Sequence, residues 1–223
     1  GGNVITIGAQ TYNDAVTLGA DDTLTGTTVS LAGVTGGGHS LTVAANAVLG
    51  GAVSGVNTLS VGGTTALNTT NVSTTGGQTY SGAVTLGADT TLTNTGSNAI
   101  NLASTVDGTH KLTVSTGGAT ILGGTVGGTA ALTSLTTNSG TFSANALTVN
   151  GPLSVKTTAG GITQGGAFTV SGTSSFDAGT GVITLMNSSN AFGGAVNLTG
   201  GTTQITNGSS LTLGAVNTGA LTA

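Results

Sequence analysis

Cysteine, tryptophan, glutamate and arginine are all missing from this chain of 223 residues, and proline occurs once, at Pro152. Without cysteine there is no disulfide framework and no thiolate metal site or nucleophile. Charged residues make up only 4% of the sequence, against roughly 25% in an average domain. The charges are Asp14, Asp21, Asp22, Asp89, Asp107 and Asp177, offset by Lys111 and Lys156, for a net charge of −4. Two lysines cannot build the cationic field that nucleic acid or anionic lipid requires, so neither partner is expected. No apolar run reaches the 18 or so residues that span a bilayer, and no signal peptide is visible.

What remains is glycine, 42 residues of it, together with Thr, Ser, Ala, Asn, Val and Leu. Disordered chains favour Pro, Glu, Lys and Gln. The aliphatic and β-branched residues here suit pleated strands instead. The chain is expected to fold, and to fold as β-structure.

The pattern is repetitive. Residues 10–25 and 78–93 differ only at Asn13, Asp14 and Asp22 of the first copy, an offset of 68. The echo continues as Gly38-His39-Ser40-Leu41-Thr42-Val43 against Thr109-His110-Lys111-Leu112-Thr113-Val114, and then as residues 49–55 against 122–128. The offset lengthens along the way, as expected when loops take insertions and strands keep step. Approximate blocks are 10–77, 78–141 and a more divergent 142–223. Within them recur apolar–polar–apolar triplets: Ile5-Thr6-Ile7, Val16-Thr17-Leu18, Leu41-Thr42-Val43, Leu59-Ser60-Val61, Val84-Thr85-Leu86, Leu112-Thr113-Val114, Leu147-Thr148-Val149, Leu153-Ser154-Val155, Phe168-Thr169-Val170, Val196-Asn197-Leu198 and Leu211-Thr212-Leu213. Alternation at period two sends the outer pair of each triplet to one face and the middle residue to the other. Helical spacing is not sustained anywhere.

Short strands, small residues and only six aromatics (Tyr12, Tyr80, Phe142, Phe168, Phe176, Phe192) fit a stacked solenoid better than a sandwich with an aromatic core. The expected fold is all-β, a right-handed parallel β-helix. With about 20 residues per coil and a strand spacing of about 4.8 Å, it would have on the order of ten coils and a length of about 50 Å. Residues 1–9 lead into Gln10 much as 69–77 lead into Gln78, and neither end shows a cap. Residues 1–223 are therefore expected to be a single β-helix segment of a longer repeat protein.

Segments such as Gln78-Thr79-Tyr80-Ser81-Gly82-Ala83-Val84-Thr85-Leu86, and the run from Asp177 to Leu198, resemble the filamentous-haemagglutinin-like exoproteins exported by two-partner secretion. Autotransporter passengers look similar at this level. The resemblance covers nearly the whole chain and rests on repeat-consensus features. It implies a β-helix shaft, export across the Gram-negative outer membrane to the cell surface or medium, and roles in adhesion, aggregation or biofilm formation. It also implies self-association into fibres or bundles, with host-cell or matrix glycans and proteins bound through regions outside this segment.

No catalytic, cofactor-binding or metal-binding residue is assigned from the sequence, and no enzyme activity is expected. Asp21 and Asp22 followed by His39 faintly echo the carboxylates of pectin-cleaving β-helix enzymes, which converge acids and bases on one face. The second copy has Asp89-Thr90, so the aspartate pair is not repeated; an exposed turn using Asp for local hydrogen bonds is the plainer reading. His39 and His110 occupy matching places before strands, several coils apart, and read as turn residues or partly packed core residues rather than ligands of one metal. Gly19-Ala20-Asp21-Asp22-Thr23-Leu24 resembles half a calcium-binding nonapeptide, without tandem copies. Gly36-Gly37-Gly38 and Gly117-Gly118 lack the helix and lysine of a phosphate loop and read as coil corners. Outward Thr17, Thr42, Thr85, Thr113, Thr148, Thr169 and Thr212 could form ice-binding ranks only if they lined up. Against the non-enzymatic shaft stand two alternatives, a carbohydrate-active β-helix enzyme and an ice-binding surface.

Overall fold

The computed structural model describes residues 2–158 and 160–223. Among them there is no helix, and the parallel strands stack as a β-solenoid of about 11 turns. Each turn visits three faces. The first turn places Asn3–Ile5 on the first face, Gln10–Tyr12 on the second and Val16–Thr17 on the third. The next turn lays Asp22–Thr25, Thr28–Leu31 and Val34–Thr35 over them.

The turn length fluctuates around the expected value. On the first face Thr42 pairs with Ser60, a step of 18 residues, while Thr79 pairs with Asn101, a step of 22. Corners absorb the difference. The ladders nonetheless continue through them: the N–H groups of Gly50, Asn68 and Gly87 donate to Leu31, Leu49 and Leu67 at 2.9 Å each, one above another. Gly36-Gly37-Gly38 is a corner, as expected. Gly37 and Gly38 have φ of 58° and 88°, a left-handed conformation that glycine adopts without strain. A Cβ on Gly36 would stand 2.4 Å from the Val56 Cα on the next rung.

Inward positions form a continuous apolar column. One rank on the first face runs Leu24, Val43, Val61, Tyr80, Leu102 and Leu122, all buried. Phe168, Phe176 and Phe192 cluster inside the C-terminal half, with centroids 6.5 and 5.8 Å apart. The sparse aromatics thus sit in the core, yet the core remains a column rather than a seam between two sheets.

Two triplets depart from the alternation. Ile5 and Ile7 are 70% and 103% exposed, because the register sets Val4 against the inward Leu24 and turns Thr6 toward Gln10, leaving the two isoleucines on the outward face. Leu211 and Thr212 precede the final strand, Leu213–Thr222, whose outer edge is open. The second face is interrupted in the seventh turn. There Val126 bridges Val106 and Leu147, Leu132 bridges Val149 and is fully buried, and residues 127–131 connect the two.

The sequence repeat and the solenoid turn do not coincide. Gln10–Tyr12 lies on the second face, but its copy Gln78–Tyr80 lies on the first. Leu41–Val43 lies on the first face, while its counterpart Leu112 lies in Lys111–Thr116 on the third. Each repeat therefore spans three and two-thirds turns and returns rotated by one face.

Candidate functional site

The side chains with chemistry gather at corners, in pairs that join consecutive rungs. Asp21 accepts the Ser40 N–H at 2.8 Å, and its Oδ1 lies 3.7 Å from Nδ1 of His39. Asp89 accepts the Lys111 N–H at 3.0 Å, lies 3.4 Å from Nδ1 of His110 and 4.0 Å from Nζ of Lys111. The same clasp has been built twice, once before the first face and once before the third. In Asp89 the aimed Lys111 N–H, aided by the His110 side chain and the Lys111 charge, holds the carboxyl below the usual carboxylate range.

The clasp adds detail to two expectations. The aspartate pair is indeed unrepeated, but the single aspartate that matters, Asp21 or Asp89, is repeated. The histidines are corner residues, as expected, and each also meets a carboxylate on the preceding rung. The signal was available as spacing, since Asp21 to His39 and Asp89 to His110 are each about one turn of chain. Only the coil length turns that spacing into contact.

Other candidates disperse. Asp22 stands in register with the inward Leu41 while Asp21 reaches the corner, so the two carboxylates diverge and cannot share one substrate atom. Lys156 and Asp177 are register neighbours on the third face, 3.4 Å apart. Asp107 accepts the N–H groups of Thr129 and Ala130 at 2.8 and 3.0 Å, tying the connection between Val126 and Leu132 in the seventh turn to the preceding rung. The outward threonines fall on all three faces. Of those singled out, only Thr148 and Thr169 pair directly, and the outward rank of the first face reads Thr23, Thr42, Ser60, Thr79, Asn101, Ile121. That is no uniform threonine rank.

Among the described residues, no group of three or more His, Asp, Glu or Cys could hold a metal ion, and no hydroxyl hydrogen-bonds to either histidine ring. Each Asp–His pair joins two consecutive rungs at a corner. Asn46 and Asn197 do the same with amide oxygens, accepting Thr64 and Ala215 N–H at 2.9 and 2.8 Å.

A second device sits in the interior and escaped sequence reasoning. Gln78 Nε2 donates to the Val72 and Thr93 carbonyls at 3.3 and 2.8 Å and to the Thr74 hydroxyl at 3.2 Å, while its Oε1 accepts the Tyr80 hydroxyl at 3.0 Å. Burial raises the Tyr80 phenol well above its usual pKa. Gln10 repeats the arrangement with Val4, Thr25, Thr6 and Tyr12 at 3.1, 2.8, 3.3 and 2.9 Å. The conserved string Gln-Thr-Tyr in both copies was the visible sign.

No helix among the described residues is long and apolar enough to cross a membrane. A family described as repeats of unknown function (DUF5649) matches residues 133–199, less than a third of the chain. The matched stretch starts on the third face with Ser134–Ser139 and regains that face at Val196, three turns later. No curated protein and no solved structure matches the chain.

Proposed function

We propose that the chain is a non-enzymatic shaft segment of a bacterial surface or secreted adhesin, or of an extracellular matrix fibre, serving adhesion, aggregation or biofilm formation. The observation that carries this reading is the rung-to-rung continuity of the stack, through corners as well as strands. Backbone ladders and corner clasps running along one axis give reach and stiffness without metal or disulfide. A surface with so little charge repels its copies weakly, which favours association into fibres or bundles. Adhesive specificity toward glycans or proteins belongs to regions outside this segment, and export across the outer membrane follows from the repeat resemblance.

The test is genetic and topological. Antibody to the chain should label unpermeabilised cells of the source organism. In-frame deletion of the segment should reduce adhesion or biofilm mass, and an unrelated solenoid of equal length should restore it. Labelling only after permeabilisation, or unchanged adhesion on deletion, would sink the reading.

A further inference from the structure

The sequence contains two Asn-Gly dipeptides, Asn150-Gly151 and Asn207-Gly208, and the fold holds them differently. An asparagine followed by glycine is open to attack by the next main-chain nitrogen on its own side-chain amide carbon, a five-membered ring closure that proximity favours. In a folded chain two restraints oppose it. One is a hydrogen bond that occupies the attacking N–H; the other is a set of bonds that pins the side chain.

Asn207 carries both restraints. Its Oδ1 accepts the Phe192 N–H at 3.0 Å, and its Nδ2 donates to the Ser210 carbonyl at 3.1 Å. The Gly208 N–H donates to the Asn190 carbonyl at 2.7 Å. Closing the ring there would sacrifice these bonds.

Asn150 is set otherwise. It leads out of Leu147–Val149 on the second face toward Leu153–Thr157 on the third. Its own N–H donates to the Leu132 carbonyl at 2.8 Å, and the Gly151 carbonyl accepts the Gly172 N–H at 3.2 Å. Between these two anchors, among the described residues, no main-chain acceptor takes the Gly151 N–H. Asn150 is exposed, on the rim of an open cleft of about 230 Å³ that it shares with Thr169, Ser171 and Ser209. The corner itself demands the glycine, because a Cβ at position 151 would stand 2.2 Å from the Thr133 carbonyl oxygen. The residue that lets the rungs approach is also the one that leaves its nitrogen unshielded.

We propose that Asn150 is a deamidation site, converted by water to aspartate and isoaspartate. The Gly151 nitrogen bonds to Cγ of Asn150 as solvent hydroxide takes its proton. The Cγ–Nδ2 bond then breaks, and Nδ2 takes a proton from water and leaves as ammonia. The cyclic imide adds one water. Opening at Cγ gives aspartate; opening at the main-chain carbonyl carbon gives isoaspartate, whose main chain runs through Cβ and Cγ. Nothing is oxidised or reduced. Aspartate adds a negative charge at the corner, and isoaspartate also lengthens the main chain between the two anchors, so the Gly172 N–H loses its partner. The inference stands apart from the shaft reading, since the chemistry needs only water.

The test uses the whole folded chain, held at mildly alkaline pH, sampled over days and cut by a protease that cleaves before aspartate. Asp107 and Asp177 place the two dipeptides in separate fragments, 107–176 and 177–223. A barrier higher by about one hydrogen bond, ~1.4 kcal/mol, slows a reaction about tenfold. Fragment 107–176 should therefore gain the mass of an amide-to-acid change, with oxygen from heavy-oxygen water, at least about tenfold faster than 177–223. Tandem mass spectrometry should place the change at position 150. Aspartate there creates a new cut after Val149 and isoaspartate does not, which separates the two products. In denaturant the two fragments should react at similar rates. Asn150→Gln should abolish the change in 107–176, and localisation in the wild type tests the same site if that variant does not fold. Equal rates in the folded chain, a faster 177–223, or conversion localised to another residue of 107–176 would overturn the proposal.

Discussion

Residues 10–25 and 78–93 are nearly the same sequence in two different settings. Their local hydrogen bonds agree within a few tenths of an ångström, from glutamine to the two carbonyls and from tyrosine to glutamine. Their burial does not agree. Tyr80 and Val84 are sealed by rungs on both sides, whereas Tyr12 and Val16 are only half-buried beside the open end. Local sequence fixes the corner; neighbouring rungs decide how far the corner is dried.

The sharpest way to break this comparison is to truncate the tyrosines. Tyr80→Ala should cost about 3–5 kcal/mol, the range for emptying a large buried aromatic site, and Tyr12→Ala should cost less than about half of that. Denaturant unfolding followed by circular dichroism measures both, and equal costs would show that the outer rung is as tightly packed as the interior.

Removing the glutamine asks about polar satisfaction rather than volume. Gln78→Ala strands the Tyr80 hydroxyl and the Val72 carbonyl in a dry interior and should cost about 1–3 kcal/mol. Gln10→Ala should cost less, because water at the open end can replace the lost partner. A reversed order in the same unfolding experiment would contradict the burial difference.

The Asp89 clasp predicts a pH dependence. Because the folded carboxyl titrates below its ordinary value, its contribution is present above the unfolded pKa of about 3.9 and disappears as pH falls through the lower folded value. The Tm difference between the wild type and Asp89→Asn should therefore shrink as pH is lowered through and below about 4. A difference that stays constant through acid would mean that the charge does not matter to the clasp.

The smallest effect is expected at the exposed ion pair. Lys156→Met should change stability by no more than about 0.5 kcal/mol, since solvated surface pairs contribute little. A larger loss in a thermal melt would give the third face an electrostatic role that its exposure does not suggest.

Much of this architecture was legible because its rule is simple. Leu41-Thr42-Val43, Leu59-Ser60-Val61 and Phe168-Thr169-Val170 alternate inward and outward as a two-residue period requires, and the inward members are buried. The rule failed where its hidden premise failed. Ile5-Thr6-Ile7 alternates in the opposite phase: Val4 and Thr6 take the inward positions, so the isoleucines face outward, as Ser73 and Thr75 do in the second copy. The corner clasps were hidden for another reason: Asp89 and His110 are distant in sequence, and their meeting depends on the number of residues in one particular turn. Nor could alternation reveal that the repeat returns rotated, because a triplet carries no mark of the face on which it lies.

By itself the sequence determined that the chain is strand and corner, that its core is aliphatic and thin, and that no metal or disulfide framework built on cysteine was to be found. Those are consequences of local side-chain chemistry and short-range backbone geometry. Tertiary structure alone decided which residues are neighbours across rungs, which of two equal tyrosines is sealed, and that repeat and turn run out of phase. These depend on cumulative coil length, to which every corner insertion contributes and which no single segment records.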